Sequence, residues 1–538
     1  MLGSVEMRHV QLILMTGVIL AAAVFASCAK APAKLERAHK LGQRGCSFYQ
    51  ESLHALIEVA LEDPNQGESA HALGHVVEEW RDQFGEATSG MVEPEEDSDS
   101  STRFKVRFTA RGHAKFLPGY FDEISPAVDF RVKKIERFTK DGVGAPLKAL
   151  RENELREPIE VHYPPEAITR EITAVIHSRG QRGGVHHVEI EMLCTLYHEN
   201  VVIEGRRKPL AADYSVALAG LLERAKDLSR SEVADLFTNR PKRDPKLFLM
   251  EPYDPRKEPL VMIHGLLDSP LAWSTLTNRL RSDPEIRRRY QIWHYLYNTS
   301  APALYSGRIL RTQYREMRRE FDPGLDDRAT QRATLLTHSM GGLVARGLIT
   351  NPGNAFWDAG FTRPLSSLKL SPEDRVSLID AFMWKSEPSV KTVIFIAVPH
   401  RGSVYADNAV GRLGQALVKP PNNFRAFYER ISKANPGAFT EGYADLGEGR
   451  LDSVGALSPE QPTLKILADL PLGYSPTLYS IIGNRGKEGA IEESSDGIVD
   501  YWSSHLDEAA SETIVPAGHA MLSEPEVIEE TKRLLLLR

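Results

Sequence analysis

Three side chains far apart in the chain have the types needed to activate a hydroxyl group. Ser339 sits in ATLLTHSMGG, Ala333 to Gly342. Asp496 sits in GAIEESSDGIVDYWSSHL, Gly489 to Leu506. His519 closes ETIVPAGH, Glu512 to His519. A serine hydroxyl is a weak nucleophile until a base takes its proton. The usual base is a histidine whose other ring nitrogen is held by a carboxylate. Ser339 follows a short apolar run and precedes Gly341 and Gly342, the small residues that a sharp strand-to-helix turn requires. The pattern for such a turn is G-x-S-x-G, and Thr337 stands where its first glycine belongs. His338 adjoins the serine, but its side chain is expected to point away from the hydroxyl and pack beneath the turn. His519 lies on a loop after a strand and a glycine, which makes it the better base. Asp496, before Gly497, is the first candidate for the carboxylate. Asp500 is second, with Glu492 and Glu493 behind it.

Attack on an ester carbonyl creates an oxyanion that backbone N–H groups must hold. Met340, next after the serine, supplies one expected donor. Leu266, in His264-Gly265-Leu266-Leu267, supplies the other, with Gly265 letting the backbone come close and His264 orienting the loop. The segment His400-Arg401-Gly402-Ser403 is expected to shape the site as a structural element.

These residues need a frame. EPLVMIHG (258–265), YQIWHYLYN (290–298), ATLLTHS (333–339), KTVIFIAVPHRGS (391–403), TLYSIIGNRG (477–486) and ETIVPAGH (512–519) read as strands. SPLAWSTLTNRLRSDPEIRRR reads as a helix in pieces, SGRILRTQYREMRREFD as an amphipathic helix and LVARGLIT as a helix start. Apolar strands alternating with helices predict a mostly parallel sheet covered on both faces. Chemistry in such sheets gathers at the C-terminal strand ends.

VMIHGLL, LLTHSMGGLVAR, IFIAVPHRGS, SDGIVDYWSSHL and VPAGH resemble, in this order, landmarks of the α/β-hydrolase superfamily, nearest its lipase and esterase branches. The resemblance covers roughly residues 250–538. It implies an α/β-hydrolase fold with Ser339 as nucleophile, Asp496 as acid and His519 as base, in the superfamily's chain order. It favours Asp496 over Asp500, and makes Leu266 and Met340 the oxyanion donors. The departure is Thr337, which leaves the tightness of the turn open. The implied substrate is a carboxylic ester, with a lipid or acyl ester in view. No cofactor and no metal ion is expected. Acyl transfer through the same residues is an alternative, and a catalytically silent binding or scaffold protein is the rival from another class. Insertions at about 351–390 and 405–470 carry several aromatics and are expected to form a helical cap with an apolar lining.

Before the catalytic region, taken as 246–538, the chain changes character several times. Residues 1–27 have a signal-peptide layout, with Met7 an alternative start: basic Arg8, the apolar run from Val10, then small residues. Phe25-Ala-Ser-Cys28 resembles the lipobox of bacterial lipoproteins, which implies acylation of Cys28 and attachment to the periplasmic side of a membrane or to the outer membrane. Ordinary secretion and a retained anchor helix are the alternatives. Residues 28–45 read as a tether. Residues 46–245 read as helices to about Phe84, an acidic loop at 93–102, a small antiparallel β region over 104–204, and a helix from Asp213 to Ala225. In an oxidising compartment Cys46 and Cys194 are a possible disulfide pair, with two buried free thiols the alternative. The net charge of −7 gives no support to a nucleic-acid surface. The sequence sets no oligomeric state.

Overall fold

The computed structural model describes residues 52–94, 100–111, 116–225, 244–407 and 421–537. Cys28, Cys46 and the apolar run of the expected signal peptide lie outside them. Among the described residues no helix is long and apolar enough to cross a membrane. Cys194 is a free, buried thiol.

The first unit opens with helices α1 (Leu53–Glu62) and α2 (Gly67–Phe84). Ser52 caps α1 by accepting from the Ala55 N–H. The helices pack on a six-stranded sheet of β1 (Ser89–Val92), β2 (Arg103–Ala110), β3 (Glu123–Pro126), β4 (Ala145–Arg151), β5 (Ile168–Arg182) and β6 (Val185–Cys194), in the order β1-β2-β6-β5-β4-β3. In β2, Phe104, Val106 and Phe108 alternate inward and join Trp80 and Val76 of α2 in one core. The sheet is mixed, not wholly antiparallel as expected, because β2 and β6 run parallel. The long return through β3, β4 and β5 permits that direction. Residues 127–135, inside the expected β region, form no strand. A short 3-10 turn covers Ala127–Asp129, and the Arg137 guanidinium donates to the carbonyls of Ala127 and Phe130. Helix α3 (Val216–Arg224) starts where expected, with the Asp213 carboxylate accepting from the N–H groups of Ser215 and Val216, both at 2.9 Å.

The second unit is a seven-stranded sheet: β7 (Lys246–Leu249), β8 (Glu258–Ile263), β9 (Tyr290–Leu296), β10 (Ala333–His338), β11 (Val390–Ile396), β12 (Thr477–Gly483) and β13 (Ser511–Val515). Its order is β7-β9-β8-β10-β11-β12-β13. All pairs are parallel except β7 with β9, so the sheet is the mostly parallel one expected with one added antiparallel edge strand. Strands β8, β9 and β10 are buried at every position, the consequence of helices on both faces. Helices α4 (Ser274–Ser282) and α5 (Pro284–Arg289) break at Asp283-Pro284, where Asp283 caps the second. Helix α6 (Ala303–Phe321) packs beside α7 (Met340–Ile349).

The two units share a core. Leu150, Ala167, Leu218 and Leu221 pack with Met250, Leu260 and Ile292. Arg281 and Glu171 form an ion pair at 2.7 Å across the junction, both side chains almost wholly buried. Between β10 and β12, helices α8 (Ala355–Gly360), α9 (Pro372–Phe382), α10 (Asn422–Ala434) and α11 (Pro462–Asp469) occupy the two insertions.

Candidate active site

Four strands, β8 and β10 on one side of β11 and β12 and β13 on the other, end at one edge of the sheet, and the loop after each carries a residue singled out in the sequence. Strand β8 leads into His264–Leu267, β10 into Ser339, β12 into the Asp496 turn and β13 into His519. Ser339 has φ +52° and ψ −129°, a conformation costly for a residue with a Cβ. It is held there because its N–H donates to the Ile396 carbonyl at 2.9 Å and its carbonyl accepts from Gly342 N–H at 2.9 Å. A Cβ on Gly341 would lie 2.3 Å from the Ile263 carbonyl oxygen and 2.5 Å from that of His264, so only glycine fits there. Thr337, in place of the pattern's first glycine, is wholly buried, and its hydroxyl donates to the Ile394 carbonyl at 3.2 Å. The neighbouring strand absorbs the hydroxyl, and the turn keeps its form.

The Ser339 Oγ and His519 Nε2 are 2.9 Å apart, and His519 Nδ1 is 2.8 Å from Asp496 Oδ2. The other Asp496 oxygen accepts from the N–H groups of Ile498 (2.9 Å) and Val499 (2.7 Å). Asp496 is 3% exposed, while the His519 side chain keeps 19% of its surface open. The carboxylate is therefore fixed and dry, and the imidazole faces solvent. Asp500 makes no contact with His519: it precedes the short helix Tyr501–Ser504 and accepts from the Trp502 indole. Glu492 and Glu493 lie in a 3-10 turn of which no residue is buried.

His338 lies behind the base, its Nε2 donating to the His519 carbonyl at 2.9 Å. Burial lowers its pKa to about 3, so it stays neutral and carries that proton on Nε2. The loop after β8 abuts the serine: a Cβ on Gly265 would stand 3.0 Å from the Ser339 Cβ. The N–H groups of Leu266 and Met340 have no hydrogen-bond partner among the described residues. His264 stacks on Tyr297, whose hydroxyl donates to the His264 carbonyl at 2.7 Å. Burial lowers the His264 pKa to about 4. It shapes the loop and carries no proton to the site.

Neither the role of Tyr297 nor the ties made by the loop after β11 carry a local signal in the sequence. The Arg401 N–H donates to Ser503 Oγ, and the Arg401 guanidinium donates to the carbonyls of Trp502 (2.9 Å) and His505 (2.6 Å). The hydroxyl of Ser403 donates to the Ile498 carbonyl, and that of Ser503 to the Gly402 carbonyl. This loop fastens the turn that carries Asp496. His400 within it is buried against the edge of Phe395, and burial holds its pKa well below the usual value.

An apolar cleft opens beside Met340, lined by Leu343, Leu451, Leu457, Leu464 and Leu467. It shares Pro302, Leu304, Leu451 and Thr463 with a second apolar cavity under Tyr305, Phe356, Phe424 and Tyr428. The insertion aromatics Phe356, Phe424 and Tyr428 thus line the second cavity, which adjoins the cleft beside Met340.

The arrangement can pass a proton from a serine hydroxyl to a histidine braced by a carboxylate, with two unpaired N–H groups in adjoining segments. No family model matches the chain, and no curated protein matches it. Solved structures similar to it include a lipase of Bacillus licheniformis in mature form, at 17% identity over 54% of this chain and 98% of that one, TM-score 0.32. An esterase of Thermogutta terrifontis with bound butyrate is 13% identical over 56% of this chain and 92% of that one, TM-score 0.29. A metagenomic carboxyl esterase is 16% identical over 53% and 78%, TM-score 0.30. At such scores the likenesses are remote, and the site stands on its own geometry.

Proposed function

We propose that the chain is a serine hydrolase of α/β-hydrolase type that cleaves carboxylic esters with an apolar acyl group. The observation that carries this reading is the unbroken hydrogen-bond chain from Ser339 Oγ through His519 to Asp496, at 2.9 and 2.8 Å. Ser339 attacks the ester carbonyl as His519 Nε2 takes its proton. The resulting oxyanion is held by the N–H groups of Leu266 and Met340, and Asp496 stabilises the imidazolium. The tetrahedral intermediate collapses, the alcohol leaves with the proton from His519, and an acyl-enzyme remains. Water, activated by the same base, releases the acid. The cleft beside Met340 receives the acyl chain. From the sequence pattern at Phe25–Cys28, export and lipid attachment through Cys28 belong to the same reading, and would set the enzyme at a membrane face. Mass analysis of wild type against Cys28→Ala tests the attachment.

The test of the activity is hydrolysis of p-nitrophenyl esters of graded chain length. Wild type is expected to turn over several members and Ser339→Ala none. No turnover by wild type across the series would sink the reading.

A further inference from the structure

The first unit holds a second cluster of chemistry-bearing side chains. His71 and His75 lie one turn apart on the same face of α2. Asp129, at the end of the 3-10 turn after β3, comes against that face. His71 Nε2 is 3.1 Å from each Asp129 carboxylate oxygen. His75 Nε2 is 3.2 Å from Asp129 Oδ2 and 3.3 Å from His71 Nε2. One donor atom from each residue fits within a sphere of mutual separations below 4.8 Å. The remaining nitrogen of His75, Nδ1, is 3.0 Å from Glu78 Oε2.

Two imidazole nitrogens pointing at each other and at one carboxylate is an arrangement that a cation explains. Metal–ligand bonds of about 2.0–2.1 Å at tetrahedral angles set neighbouring donor atoms roughly 3.3 Å apart. Two histidines four residues apart on a helix are a recurrent way to supply two such ligands. A carboxylate on the far nitrogen of a ligating histidine fixes its orientation and raises its basicity, which is the place Glu78 takes on His75.

We propose that His71, His75 and Asp129 bind one divalent transition-metal ion, zinc by donor set and spacing, with Glu78 orienting His75. The His71 and Asp129 side chains keep 22% and 20% of their surface exposed, which gives the ion a path in and leaves a coordination position for water. The ion clamps α2 to the segment after β3, and so fixes the helical layer on the six-stranded sheet. The site is separate from Ser339, His519 and Asp496 and does not depend on the esterase reading. The two histidines stand in HALGH, residues 71–75, at i, i+4 spacing. The third ligand comes from a distant turn.

The test uses the purified full chain, stripped with EDTA and dialysed. Titration with zinc sulfate in a calorimeter is expected to give one ion per chain at sub-micromolar Kd, and to raise Tm by several degrees. Asp129→Asn and His71→Asn are each expected to weaken binding at least tenfold and to abolish the Tm rise, while p-nitrophenyl ester turnover stays within twofold of wild type. Cobalt chloride added to stripped wild type is expected to give the visible absorption of a low-coordinate cobalt site, a readout that needs no variant to fold. Absence of zinc binding tighter than 100 μM, or of the cobalt spectrum, would overturn the proposal. So would unchanged binding in both variants.

Discussion

Asp496 and His519 are joined twice: their side chains meet at 2.8 Å, and the His519 N–H donates to the Asp496 carbonyl at 3.1 Å. The backbone bond ties the loop after β13 to the turn after β12, so neither side chain can drift from the other without breaking main-chain structure. A rigid acid–base pair of this kind is what catalysis by proton transfer requires.

The two acidic candidates of this turn separate cleanly. Asp496→Asn removes the carboxylate from His519 Nδ1 and is expected to lower kcat by about 10⁴-fold. Asp500→Asn touches only the Trp502 indole and is expected to stay within tenfold of wild type. Steady-state kinetics on a p-nitrophenyl ester checks this, and a greater loss for Asp500→Asn would reverse the assignment.

At the turn itself, Thr337 and Gly341 should behave in opposite ways. Thr337→Gly restores the pattern's first glycine, yet it removes a buried hydrogen bond and loosens a strand. It should cost about 1–2 kcal/mol of stability and leave kcat within a few-fold. Gly341→Ala pushes a methyl into two carbonyl oxygens of the loop that carries Leu266. It should cost about 1–3 kcal/mol or more and lower kcat at least tenfold. Urea unfolding and kinetics on the same preparations read both.

Much of this was legible in the chain. Strands buried on both faces are written as unbroken apolar runs, and they end at the residues of the candidate site. The serine turn shows its small residues, and the base sits after its strand. What could not be read was long-range or brief. The edge strand Lys246–Leu249 has four residues and no period to detect. The parallel pairing of β2 with β6 joins segments far apart. Arg137, which donates to the carbonyls of Ala127 and Phe130, is itself held by Asp213 at 2.7 Å, a contact across 76 residues. The fastening of the Asp496 turn by Arg401, Ser403 and Ser503 is another.

Acid should weaken the fold through its buried histidines. Burial depresses the pKa of His264 to about 4 and of His294 and His338 to about 3, and holds that of His400 well below the usual value. The unfolded chain takes up these four protons as pH falls through 6.5, and the folded chain does not. Stability is therefore full above 6.5 and lost toward the folded values, by up to about 1.4 kcal/mol per pH unit for each group. Asp452 opposes this. Burial raises its pKa from 3.8 to about 6, so its share of stability is present at low pH and is lost as pH rises through 6. His75, His505, Glu171, Asp268 and Glu387, all raised, oppose the acid loss in the same sense, and the four depressed histidines act together against them below pH 6.5. The urea midpoint at pH 5 should lie well below that at pH 7, and equal midpoints would contradict these protonation states.

The cleft beside Met340 should set chain length. Leu464→Trp fills the space between Met340 and the second cavity. It is expected to lower kcat/KM for long-chain p-nitrophenyl esters at least tenfold, and to change that for acetate less than threefold. Equal losses across the series would place the acyl chain elsewhere.

The central claim is that Ser339 is a nucleophile activated by His519. The most direct measurement is labelling with a fluorophosphonate probe followed by mass mapping of the modified peptide. The account predicts one adduct per chain, on Ser339, absent in Ser339→Ala and strongly slowed in His519→Ala. No adduct on wild type, or an adduct on another serine that persists in Ser339→Ala, would contradict it.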